Sequence, residues 1–149
     1  MSLINKISEE IKNAMKAKDS ILLESLRAVK SSLLLAKTQK GASDNLSESE
    51  EIKILQRLVK QRKESAKIYI SQNRNDLADI ELNQAKTIEI FLPKQLEFSE
   101  IEKIISELIL KSGAIGMKDM GKVMGLATKH LSGKADGKTI SNIVRSKLS

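Results

Sequence analysis

Apolar positions recur three and four residues apart along nearly the whole chain, the spacing of one face of an α-helix. Ser2 can cap a first helix whose stripe is Ile4, Ile7, Ile11 and Met15, and Lys18-Asp19-Ser20 breaks it. A second stripe of Leu22, Leu26, Val29, Leu33 and Ala36 ends at Gly41, which opens a polar loop to about Leu46. Ser47 with Glu50 three residues on reads as a capping box for a third helix, through Ile52, Leu55, Leu58, Val59, Ala66 and Tyr69, with a break at residues 72–75. The fourth carries Leu77, Ala78, Leu82, Ala85, Ile88 and Leu92. Pro93, the only proline, stops it, because proline disfavours helical geometry in the residue before it.

Beyond the proline, Ser99 and Glu102 suggest a second capping box ahead of Ile101, Ile104, Ile105, Leu108 and Ile109, a helix that must end by Ser112-Gly113. The spacing predicts another helix over residues 117–131, with Met120, Val123, Met124, Ala127 and Leu131 on one face. Asp136 then caps a last one through Ile140, Ile143, Val144 and Leu148. Strand-like alternation is absent. The predicted class is therefore all-α, an N-terminal four-helix region (residues 1–92) followed by a C-terminal three-helix bundle (residues 95–149). Six of the seven glycines fall between Gly113 and Gly137, a composition shift that supports a boundary at Pro93. Arg62 lies inside the third apolar stripe, where a guanidinium needs a carboxylate; Glu89 is the expected partner, and contact of Arg62 and Lys63 with RNA is the alternative.

Composition narrows the function. Hydrophobic residues make up 40% of the 149 but aromatics only 2%, so the core must be aliphatic, which helix-on-helix packing tolerates. The lack of cysteine excludes disulfides, thiolate metal sites and a cysteine nucleophile, and fits a reducing compartment; the cytoplasm is expected. No apolar run approaches the roughly 18 residues of a membrane span, and charges interrupt the N-terminal isoleucines as no signal peptide would allow, so no membrane association is expected. A net charge of +7 points to polyanionic partners. Residues 111–149 hold eight Lys and Arg against Asp119 and Asp136, a surplus of +6, so the C-terminal segment is the electrostatic footprint.

Catalytic motifs are missing. There is no phosphate-binding G-x-x-x-x-G-K-[ST] loop and no G-x-S-x-G elbow, and the single histidine, His130, can build neither a Ser-His-Asp relay nor a His-pair metal site. Glu9-Glu10 and Glu50-Glu51 are helix neighbours that do not share a face, and Glu50 has a capping role. His130 reads as a helix C-terminal residue favoured by the dipole. No catalytic residue, metal or cofactor is expected.

The informative stretch is residues 118–138. At 100° per residue, Lys118, Lys122 and Lys129 gather within about a 40° arc opposite the apolar face. Gly121 and Gly125 lie beside that ridge, and each glycine inside a helix costs about 1 kcal/mol relative to alanine. Two in one short helix imply close approach, either by another helix or by a sugar-phosphate backbone around which the lysines reach. Lys134 and Lys138 flank a turn into a helix N-terminus, whose free N–H groups favour anions. The plain alternative is that Gly133 ends one helix and Asp136 starts the next.

These residues carry a resemblance. Lys118-Asp119-Met120-Gly121-Lys122-Val123-Met124-Gly125 followed by Gly133-Lys134-Ala135-Asp136-Gly137-Lys138 resembles the C-terminal signature of the GatB/YqeY family, and Gln61-Arg62-Lys63-Glu64-Ser65 and Glu89-Ile90-Phe91-Leu92-Pro93-Lys94-Gln95-Leu96 are similar to stretches of its YqeY-like proteins. The likeness spans essentially the whole chain and implies a stand-alone relative of the tail of GatB, a component of the aspartyl/glutamyl-tRNA amidotransferase. It implies a tRNA-binding module in translation, with Lys118, Gly121, Lys122, Gly125, Lys129, Lys134 and Lys138 as RNA-binding residues. The ATP- and magnesium-dependent cradle and the Ser-Ser-Lys amidase site have no counterpart here, so catalysis does not carry over. Gly137 stands where many GatB tails have proline, and either residue can start a helix. The enzyme-class alternative is an accessory subunit of a carbon-nitrogen ligase with glutamine as amido-N-donor; the third is a protein-protein adaptor working through the N-terminal helices. Expected partners are tRNA and, with it, amidotransferase subunits or an aminoacyl-tRNA synthetase.

Overall fold

The structure, a computed structural model, describes residues 2–41 and 45–149. Those residues form helices α1 (Leu3–Ala17), α2 (Ser20–Lys40), α3 (Glu48–Ser71), α4 (Asn75–Glu89), α5 (Phe98–Ser112), α6 (Met120–His130) and α7 (Gly137–Leu148), with a 3-10 turn at Met117–Asp119 and no strand. The chain divides into two compact units, Met1–Leu92 and Pro93–Ser149.

The first unit is built as the stripes predict. Ser2 Oγ accepts from the Asn5 N–H, and Lys18, in left-handed geometry at φ 55°, ends α1. Asp19 immediately caps α2 by accepting from the Leu22 N–H. Ile7, Leu26, Leu33, Leu55 and Ile88 are fully buried in an aliphatic core. Among the described residues Ser25 is the one buried polar side chain, and its hydroxyl donates to the Ile21 carbonyl. α3 and α4 form an antiparallel hairpin, packed closely because Ala66, Ala78 and Ala85 bring no bulk to the contact. At the start of α3 the Ser47–Glu50 capping box is complete, and Glu50 also takes the Lys40 ammonium at 2.8 Å. Part of the polar loop expected after Gly41, residues 42–44, lies outside the described residues.

Several details differ from the sequence reading. Met15 is 54% exposed and Ala14 is buried in its stead, because Ala14 lies nearly in line with Ile7 two turns on, whereas Met15 is rotated about 80° from that line. Ile54 joins the core from outside the predicted stripe. α4 stops at Glu89, three residues before Leu92: Phe91 and Leu92 donate to the carbonyls of Ile88 and Glu89, so the last turn tightens to i→i+3 bonds ahead of Pro93.

The second unit packs α5, α6 and α7 around Ile101, Ile105, Val123, Ala127, Leu131, Ile140, Val144 and Leu148. α5 begins at Phe98, not after Ser99: the cap position is Glu97, whose N–H donates to Glu100 Oε1. The backbone is held extended up to that point because the Leu96 N–H donates to the Lys134 carbonyl at 2.9 Å. Gly113, left-handed at φ 71°, ends α5.

Candidate nucleic-acid interface

α6 turns Val123 and Ala127 inward and leaves Lys122, Lys129, Gly121 and Gly125 exposed on the other side. Beyond its own helix backbone and chain neighbours, a Cβ added at either glycine would meet nothing within 4 Å. Packing by another helix of the second unit, one form of the close approach expected for this pair, is not what the glycines serve. What remains is a strip of bare helical backbone flanked by lysines.

Lys118 does not belong to this helix. Gly116 is extended, Asp119 Oδ2 turns back to accept from the Ile115 N–H at 3.0 Å, and the Asp119 N–H closes a 3-10 turn on the Gly116 carbonyl, so α6 starts only at Met120. The 100° spacing that aligned Lys118 with the other two therefore does not apply to it; it is exposed on the turn that leads into α6. Lys122 is not a free cation either. Its ammonium donates to the Ser112 carbonyl at 3.3 Å, at the negative end of the α5 dipole. His130 is the last residue of α6 and exposed, as read from the sequence.

Lys134 is exposed on the turn between α6 and α7, and Lys138 is exposed in the first turn of α7. The turn is held firmly: Gly133 is buried at φ 75°, Ala135 is 8% exposed, and the Lys134 N–H donates to the Leu131 carbonyl. The Gln95 amide donates both to the Pro93 carbonyl at 2.9 Å and to the Gly133 carbonyl at 2.6 Å. Gln95 and Leu96 thus clamp the backbone that presents Lys134. Sequence reasoning assigned Gln95 no role. Asp136 holds the N-cap position of α7 with extended geometry, yet its side chain makes no capping hydrogen bond, contrary to expectation. With no side-chain capping hydrogen bond, the first-turn amides of α7 lie beside Lys138.

In the first unit, Arg62 does not pair with Glu89. Its Nε donates to Gln84 Oε1 at 3.2 Å and its Nη1 to the Leu58 carbonyl, while Gln84 Nε2 donates onward to Glu24 Oε2 at 3.4 Å. In a hairpin folded about Asn73 the residue opposite Arg62 is Gln84, each eleven positions from the turn, and its amide oxygen takes the guanidinium that was expected to meet Glu89. Glu89 instead takes the Lys63 ammonium at 2.7 Å. These two, with Asp79, Asn83 and Lys86, line an open cleft of about 480 Å³ on the hairpin. Among the described residues no three His, Cys, Asp or Glu side chains gather as metal ligands, and no helix is long and apolar enough to cross a membrane.

Residues 4–148 match the family described as Yqey-like protein. The chain is 28% identical over 152 residues to altered inheritance of mitochondria protein 41, mitochondrial, from Vanderwaltozyma polyspora, covering 95% of this chain and 79% of that one. It is 30% identical over 132 residues to the protein of the same name from Meyerozyma guilliermondii, covering 83% and 65%. A shorter stretch of 57 residues is 42% identical to the E subunit of glutamyl-tRNA(Gln) amidotransferase from Thermococcus sibiricus, which is 36% of this chain and 9% of that protein.

Proposed function

The chain belongs to the family of YqeY-like proteins and is related to the tail of the tRNA-dependent amidotransferase, and from that premise we propose that it is a tRNA-binding helical module without catalysis of its own. The observation that carries the reading is the pair Gly121 and Gly125, bare to solvent beside Lys122 and Lys129. Their helix-propensity penalty brings no internal packing, but it lets a sugar-phosphate backbone lie against the helix. Lys118, Lys122, Lys129, Lys134 and Lys138 supply about five phosphate contacts, so log affinity should fall with log salt at a slope near about −4. Phosphate contacts fix position without reading bases, so reversal of Lys118 and Lys129 to Glu should weaken binding to different tRNAs alike. Lys122 is a poorer probe, since its reversal would also set a carboxylate at the C-terminus of α5. Binding undetectable at low salt, or unchanged by the reversals, favours the adaptor reading instead, in which the first unit offers the partner surface.

The second reading is an accessory subunit of a glutamine-dependent carbon-nitrogen ligase, favoured by the similarity to the E subunit of the amidotransferase. Purification from cells separates the two: amidotransferase subunits or an aminoacyl-tRNA synthetase would accompany the accessory subunit, and tRNA alone the module. The compartment follows the partner, either the cytoplasm, as composition leads one to expect, or the mitochondrion, as the names of the yeast proteins say of them.

A further inference from the structure

Residues 113–119 join α5 to α6 and are tied down along their length. The Ala114 N–H donates to Ser112 Oγ, the Ile115 N–H to Asp119 Oδ2, the Asp119 N–H to the Gly116 carbonyl, and the Lys122 ammonium to the Ser112 carbonyl. Gly116 backs onto the end of α7, where an added Cβ would stand 4.0 Å from the Leu148 carbonyl. On this held backbone Ile115 is 84% exposed and Met117 45%. An aliphatic side chain fixed outward in water forgoes its burial free energy and has no compensating contact within the chain. Its setting is cationic: Lys118 follows it, Lys122 grips the base of the loop, and the one acid there, Asp119, turns its carboxylate onto the Ile115 amide.

An apolar protein groove would leave those lysines unmatched. Nucleic acid offers both halves of the match, phosphates for the ammonium groups and the apolar face of a base or ribose for the side chain. We infer that the loop of residues 113–117 is a second arm of RNA contact, in which Ile115, supported by Met117, packs on a nucleobase or ribose face beside the phosphates held by Lys118 and Lys122. The inference rests on the RNA reading of the lysine face. A continuously stacked duplex hides its base faces, so the class of ligand this arm selects is RNA with an unstacked base, in a loop, a bulge or a kinked step.

The test is titration of unmodified tRNA transcript and of a perfect RNA duplex against the wild type and Ile115→Ser, across about 50–200 mM salt. An apolar contact releases no counterions. Ile115→Ser should therefore weaken tRNA binding about tenfold at every salt concentration and leave the salt slope unchanged, whereas Lys118→Glu flattens the slope. Ile115→Leu should retain affinity, and the duplex should bind wild type and Ile115→Ser equally. A wild type that binds no tRNA overturns the RNA reading itself. A wild type that binds tRNA while Ile115→Ser matches it overturns this inference alone, as does an Ile115→Ser variant whose only change is lost self-association in sedimentation, which would make the loop a protein-docking tip.

Discussion

The two units differ in which of their cations are engaged. In the first, four cations meet acids or amides: Lys40 with Glu50, Lys63 with Glu89, Arg74 with Asp76, and Arg62 through Gln84 to Glu24. In the second, Lys147 with Glu102 is the one ion pair among the described residues, and Lys118, Lys129, Lys134 and Lys138 have no acidic partner there. Pairing across helices fixes register and gives little affinity for anything else, because each charge is already partly satisfied. Lysines left solvated on a clamped scaffold keep their potential for a ligand. On the proposed reading, the exposed lysines of the second unit are the ones a polyanion would meet.

The comparison requires that the units be separable, and core truncation gives the largest effect. Ile105 is fully buried in the second core and Leu26 in the first. Ile105→Ala should destabilise residues 93–149 by about 3 kcal/mol and leave amide-exchange protection in α1 to α4 unchanged; Leu26→Ala should do the reverse. Protection lost throughout the chain from either substitution would join the two units into one cooperative body. Next in size is the charge contrast itself. Lys118→Glu with Lys129→Glu should lower tRNA affinity by about 10- to 100-fold near physiological salt, while Lys60→Glu with Lys67→Glu on exposed α3 should leave it within about twofold. Equal losses from the two pairs would reduce the interface to net charge.

A smaller effect sharpens the case for the glycines. Gly121→Ala and Gly125→Ala fill open space on a regular helix, so each should stabilise the second unit by about 1 kcal/mol in thermal unfolding. If the backbone is kept bare for RNA, the same substitutions should weaken binding. A variant that is both more stable and binds as well would leave the glycines without a function.

Helix existence and the aliphatic cores were legible in the sequence because both express one periodicity, and it survives small errors at the ends. Boundaries were less so. α5 starts at Phe98 because Leu96 is tethered to Lys134, a contact 38 residues away that no local pattern contains. That the candidate lysines are exposed was legible; their arrangement was not, since the 3-10 turn that takes Lys118 out of the predicted ridge depends on Asp119 bonding back to Ile115. The error at Arg62 is of the same kind. Periodicity placed it on the inner side of α3, but the side chain the hairpin brings opposite it is Gln84, and the acid expected for it is taken by Lys63. Gln95 went unread because an amide bonding two carbonyls has no signature in sequence.

The smallest expected effect lies in the first unit and tests whether its ion pairs act at all. Glu50 is held at a pKa of about 2, down from 4.5, first by the hydrogen bond from the Lys40 ammonium and then by the Ser47 N–H of the capping box. A carboxylate depressed in the folded state stabilises it fully above the unfolded value, and that contribution is lost as pH falls from about 4.5 through about 2. Over that window the start of α3 should lose amide protection, a modest change because the pair is exposed to solvent and screened by salt. Lys40→Met removes the leading cause and leaves the Ser47 bond, so the Glu50 midpoint, followed by its carboxyl carbon resonance, should rise part of the way towards 4.5. A midpoint near 4.5 in the wild type would mean that neither the Lys40 contact nor the Ser47 bond is populated in solution, and the case for engaged cations in the first unit would then rest on the Arg62–Gln84–Glu24 relay and the Lys63–Glu89 pair.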